Sequence, residues 1–206
     1  DSIVNEHIVH YHLQPLLKIM DLAGLQLFDI EKTPTNGGAI MCYVTHKENS
    51  AYTTRKRTQN ILNLKIEEYE AYLDTDKPYE KFRKAVISHR KEMRKLITDI
   101  VLTQGKTIHI CGASTKLNTI LNYCDIGPDL IPFASERSPE KHGAETISGI
   151  KLISEEDSRA MNPDYYLVGP YHFKDEIIKR ESEFIQNGGG FIFPLPELTV
   201  ITKNNL

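Results

Sequence analysis

Apolar residues recur at helical steps early in the chain, at Leu13, Leu16, Leu17, Met20 and Leu22, and Gly24 follows as a C-terminal stop. Residues 26–30 and 39–44 read as two strands, separated over 33–38 by a turn rich in Pro, Asn and Gly. A helix and a two-stranded ribbon bury too little to fold alone, so this segment should lie against a sheet. Residues 49–104 shift to Lys, Arg and Glu with scattered apolar positions, and Asp74-Thr75-Asp76-Lys77-Pro78 marks a joint within them. Beyond the joint, Phe82, Val86, Met93, Leu96, Ile97, Ile100 and Val101 form one apolar stripe of a helix that Gly105 ends.

After Gly105 the period alternates. Strands are predicted at 107–111, 129–134, 150–153, 164–168 and 191–193, with helical segments at 115–124, 155–161 and 174–186. Strands separated by helices imply parallel pairing with right-handed crossovers. The fold class is therefore α/β, with a Rossmann-like half of about 100 residues at the C-terminal end. At its first strand-to-helix junction, Gly112-Ala113-Ser114 would gather backbone N–H groups at a helix N-terminus, a place that attracts anions. The loop has neither a full G-x-G-x-x-G nor a Walker sequence, so an ordinary strand-to-helix turn and a phosphate site both fit it.

Composition narrows the field. The 206 residues are 40% hydrophobic and 26% charged with a formal net charge of -3, which lacks the basic surplus of a general nucleic-acid binder. No apolar run approaches the roughly 20 residues of a membrane-spanning helix, and residues 1–7 do not read as a secretory leader. A cytoplasmic protein with neither a nucleic-acid nor a membrane partner is the expectation. Lys81, Arg83, Lys84, Arg90, Lys91, Arg94 and Lys95 are most simply the solvated face of the long helix, with a polyanion-binding face as the alternative. Cys42, Cys111 and Cys124 contain no C-x-x-C pair and read as reduced, mostly buried thiols rather than as disulfides or zinc ligands. His7, His10 and His12 could be surface or packing histidines, or, two to three residues apart, ligands of a metal.

Five separated stretches together resemble one family, the S-adenosylmethionine-dependent sugar C-methyltransferases. They are Glu6-His7 leading into Tyr11; Phe28-Asp29-Ile30 followed by Asn36-Gly37-Gly38; the run from Gly112-Ala113-Ser114 to Asn122-Tyr123; Glu136-Arg137-Ser138-Pro139-Glu140-Lys141-His142-Gly143; and Asn187-Gly188-Gly189-Gly190-Phe191-Ile192-Phe193-Pro194-Leu195-Pro196. The resemblance implies an amino-terminal zinc-binding domain, a central domain that binds S-adenosylmethionine, and a Rossmann-like C-terminal domain. Residues 1–48 would then be the C-terminal end of the class I methyltransferase domain, 49–104 a helical linker, and 105–206 the C-methyltransferase C-terminal domain. The cofactor loop and the zinc cysteines would lie upstream of Asp1.

The resemblance also implies the chemistry. A base removes the proton alpha to the ketone of a nucleotide-linked keto sugar, and the enolate attacks the sulfonium methyl. His7 would be that base, since imidazole titrates near neutrality, and Glu6 its partner or a second substrate contact. A tyrosine frequent two residues before this glutamate is Val4 here. Ser114, Lys116 and Asn118 would offer donors to the substrate's diphosphate, and Arg137 and Lys141 would neutralise it. Ser114 as a plain helix cap and Lys141 as a solvated charge are the alternatives. Leu117 replaces a glycine frequent in the family. Tyr171-His172-Phe173 follows a strand, where His172 and its neighbours could stack on a base or merely cover the core. Two competing functions are a noncatalytic nucleotide-sensing or scaffold module and a dinucleotide-binding dehydrogenase fragment; the latter lacks the glycine fingerprint and a convincing ribose-binding acid.

Overall fold

A computed structural model describes residues 7–35, 38–52 and 54–206. The chain divides into two compact units, one ending at Ala85 and the other running Val86–Leu206.

In the first unit, helix α1 (Leu13–Leu22) is followed by strand β1 (Leu25–Thr33) and its antiparallel partner β2 (Ala39–His46). Gly24, at φ +72, turns the chain from helix into strand. Helix α2 (Arg55–Glu70) starts at Thr54, whose hydroxyl accepts the Arg57 N–H at 3.3 Å. Leu13, Ile30 and Leu64 form a small core, with Leu17, Leu27, Ile40, Cys42 and Ile61 packed against it. The carboxylate of Glu68 takes the Leu13 N–H at 2.8 and 2.9 Å, which ties α2 to the start of α1. The sequence alone called for a sheet beneath the ribbon. Within this unit it is α1 and α2 that cover it, α2 through Ile61 and Leu64.

Helix α3 (Lys77–Thr98) follows the 74–78 joint, with Pro78 in its first turn, and passes into a π-helical turn at Asp99–Thr103. The division between the units falls inside α3. Its later residues Met93 and Ile97, with Ile100, are buried in the second unit.

The second unit is a six-stranded sheet flanked by helices. In chain order its elements are β3 (Ile108–Cys111), α4 (Thr115–Cys124), β4 (Phe133–Glu136), β5 (Lys151–Ser154), α5 (Glu155–Ala160), β6 (Tyr165–Val168), α6 (Lys174–Arg180), α7 (Ser182–Gln186), β7 (Gly190–Phe193) and β8 (Thr199–Ile201). The spatial order is β5-β4-β3-β6-β7-β8, parallel except for the β7–β8 pair. Counted from β3 this is the 3-2-1-4-5-6 order of nucleotide-binding sheets, so the Rossmann-like α/β expectation holds. Ile108 and Ile110 meet α3 and α4 on one face. Cys111, Tyr166, Val168 and Phe191 meet Ile177 and Ile185 on the other.

Three local expectations needed correction. The strand expected at 129–134 forms at Phe133–Glu136, because Leu130 and Ile131 are buried in the turn that leads into it. The helix expected at 174–186 breaks at Glu181, where φ -101 and ψ 25 leave the helical region. Strand β8 was not anticipated; its three β-branched residues pair with β7 along the sheet edge.

Candidate functional site

β3 and β6 are neighbours in the sheet, yet β4 and β5 come between them in sequence. Their following segments depart to opposite faces, and such a reversal leaves a crevice beyond the carboxyl ends of the strands. Two glycines hold its walls close. A Cβ on Gly169 would lie 1.8 Å from the carbonyl oxygen of Gly112, and one on Gly112, already at φ +78, would lie 2.9 Å from Cδ of Pro170. The Ser114 hydroxyl accepts the Leu117 N–H at 3.2 Å and donates to the Gly169 carbonyl at 3.3 Å. It is a helix cap, and it also stitches the two loops together.

Lys116 and His172 meet across this junction, the ammonium donating to Nε2 of the imidazole at 3.0 Å. Burial, and then the Lys116 charge, hold the His172 pKa below its ordinary value, so the ring stays neutral and can accept that bond. Tyr171 is buried and its ring centroid lies 4.4 Å from that of His172. The Asn118 side-chain oxygen is buried without a hydrogen-bond partner among the described residues. Of the residues singled out from the sequence, Ser114, Lys116 and His172 converge here, with Asn118 one helical turn beyond Ser114.

Arg137 and Lys141 lie instead where β4 ends, and each has a carboxylate partner. Arg137 Nε donates to Glu155 at 3.1 Å, and Lys141 Nζ lies 3.4 Å from Glu136. A cavity of about 420 Å³ opens here, bordered by Gly112, Glu136, Arg137, Pro170, Phe173 and Ile177. Glu155 also approaches Arg159 at 3.5 Å and Arg180 at 3.8 Å. Sequence reasoning missed the roles of Glu155 and Arg180, because ion pairs across 18 or 25 positions leave no local signal. Cys111 also borders this cavity, but burial pushes its thiol up to about 12, as it pushes Cys124 to about 11. Both stay protonated at neutral pH and are poor nucleophiles.

A shallower groove of about 650 Å³ runs along α3 past Arg90, Lys91, Arg94 and Lys95. Arg90 covers the Tyr123 ring at 5.4 Å and Arg94 pairs with Asp125 at 3.1 Å, so part of the cationic face is already engaged.

His7 is exposed ahead of α1, in the first unit, and meets His10 edge-on at 6.2 Å. Glu6 lies outside the described residues. His12 faces Glu68 at 3.4 Å. Among the described residues, no group of three or more His, Cys, Asp or Glu side chains is arranged to hold a metal ion, and no helix is long and apolar enough to cross a membrane.

Comparison with known proteins bears on these features. Residues 34–196 match the family model of the C-methyltransferase C-terminal domain. Over 207 aligned residues the chain is 30% identical to the C-methyltransferase NovU of Streptomyces niveus, an alignment covering 100% of this chain and 48% of that protein. The chain thus spans about half the length of the curated relative it matches.

Proposed function

Since the chain belongs to the C-methyltransferase family, whose C-terminal domain its residues 34–196 match, we propose that it is the sugar-nucleotide-binding portion of a cytoplasmic enzyme that methylates a keto sugar at the carbon beside its ketone. The observation that carries this reading is the crevice between the β3 and β6 loops. There the N-terminus of α4, the Ser114 hydroxyl and the Lys116 ammonium lie together. Backbone N–H groups at that helix end and the lysine charge are suited to a diphosphate, and less to the cationic sulfonium of S-adenosylmethionine.

The chemistry then divides between the units. Anchoring the diphosphate fixes the attached sugar and removes most of its translational freedom. His7 takes the proton alpha to the ketone, the carbonyl oxygen receives the electron pair, and the resulting enolate carbon is the nucleophile. Glu6 is assigned as the partner of His7 or as a second contact to the substrate. S-adenosylmethionine, the methyl donor that such a transferase implies, supplies the electrophilic methyl when bound. The first unit is an antiparallel ribbon under helices, and among its described residues there is no strand, glycine loop and helix in succession that would cradle a nucleotide. None of its described residues is therefore assigned to the donor.

A second reading, a nucleotide-sensing or scaffold module, draws support from the carboxylate partners of Arg137 and Lys141 and from Val4 in place of the frequent tyrosine.

Titration calorimetry with this chain separates the roles. Nucleoside diphosphates titrated singly should include one that gives a saturable heat. S-adenosylmethionine at the same concentration should give none. Tight binding of S-adenosylmethionine, with no nucleoside diphosphate bound, would reverse the assignment.

A further inference from the structure

Helix α1 has no local means of finishing its own first turn. The His12 side chain makes no capping bond, no acidic residue lies in that turn, and Pro15, the third helical residue, has no N–H for a cap to bind. Leu13 is fully buried, so its N–H would be an unpaired donor away from water, which is costly. The acceptor comes from 55 positions along the chain. Both oxygens of Glu68, whose side chain is 12% exposed, take that N–H at 2.8 and 2.9 Å. A carboxylate there also suits the positive end of the helix dipole. Nδ1 of His12, the residue at which the 7–12 segment enters α1, lies 3.4 Å from the same carboxylate. Glu68 is held in turn. It continues the Ile61 and Leu64 face of α2 at helical steps. The opposite end of α2 is tied to β1, where Asp29 accepts from Asn60 at 2.9 Å and meets Arg57 at 3.4 Å.

We propose that Glu68 is a positioning residue for the methyl-transfer reaction: by pinning the His12–Leu13 junction to α2, it sets the direction in which the segment bearing His7 leaves α1. This inference rests on the reading under Proposed function that His7 is the base. It adds that residues 55–70 brace that base as well as connecting the two units. The effect is on the placement of the imidazole, not on the binding of substrate. A reacting group misplaced by about 1 Å can cost about 10²-fold in rate. With the Leu13 N–H left without its acceptor, the junction behind the 7–12 segment loses the contact that fixes its direction.

The test compares Glu68→Ala and Glu68→Gln in the methyltransferase proposed for this chain. Its substrates are methyl-labelled S-adenosylmethionine and keto-hexose esters of the nucleoside diphosphate that calorimetry selects, with rates expressed per folded molecule from circular dichroism. Glu68→Ala should lower kcat about tenfold or more and leave KM for both substrates within about twofold. Glu68→Gln keeps an oxygen for the Leu13 N–H and should recover kcat to within about threefold of wild type. Ile61→Val weakens the same small core without touching that bond, so it should lower the melting temperature and leave kcat within about twofold. Wild-type kcat in folded Glu68→Ala, a loss carried by KM, no recovery in Glu68→Gln, or a loss in Ile61→Val as large as that in Glu68→Ala overturns the inference and leaves the proposed function standing. No methyl transfer by the wild type, or an unchanged kcat in His7→Ala, fails the proposed function and this inference with it. Should Glu68→Ala not fold, Glu68→Asp decides, because its shorter arm keeps the charge but draws it back from Leu13. Its kcat should fall about threefold or more, and wild-type kcat there would overturn the inference.

Discussion

Replacing Gly169 by Ala is expected to destabilise the sheet unit by about 3 kcal/mol or more, seen as a lower urea midpoint, and to abolish nucleotide binding in the chains that remain folded. The new methyl would sit 1.8 Å from the Gly112 carbonyl oxygen, a backbone atom that no rotamer change can move. The β3 and β6 loops would have to separate, breaking the Ser114 to Gly169 bond and displacing the N-terminus of α4. Gly188→Ala is the control. It stands at φ +100 with nothing within 4 Å of the added atom, so only conformational strain of about 1–2 kcal/mol is at stake. Equal losses in the two variants would mean that close approach of the loops does not matter to this unit.

The second large effect concerns activity. In the methyltransferase proposed for this chain, His7→Ala should lower kcat by about 10²–10⁴-fold, the usual contribution of a positioned general base. Nucleoside diphosphate affinity should remain within about twofold, because a surface change distant in sequence from the β3–α4 loop removes no phosphate donor. A kcat within a few-fold of wild type would move the base elsewhere and favour the module reading. A parallel loss of nucleotide affinity would instead make His7 a binding residue.

Much of the second unit was legible in the sequence, for identifiable reasons. Buried parallel strands such as Ile108–Cys111 and Gly190–Phe193 appear as short apolar runs between polar, helix-periodic segments. The α4 start was legible too, since Ser114 caps it as its residue type suggests. What escaped was whatever depends on distant partners. Leu130 and Ile131 have the composition of strand residues but are buried in a turn, and reading them as strand moved the end of β4 forward. That shift left Glu136 in an apparent loop, whereas it ends the strand. Arg137 and Lys141 were legible as cations that could face a diphosphate, but their carboxylate neighbours Glu155 and Glu136 were not. In the first unit, α2 is weakly patterned, and its role as cover for the ribbon emerges only from the burial of Leu64 beside Leu13 and Ile30.

The division of labour between the units turns on where a nucleotide binds. Amide hydrogen exchange of the chain, with and without a saturating concentration of the diphosphate that calorimetry selects, locates it directly. Exchange should slow at residues 112–117, 136–138 and 169–173 and stay unchanged across the 25–46 ribbon. Protection confined to the ribbon and its helices, with none at those three loops, would contradict a nucleotide site in the crevice of the six-stranded sheet.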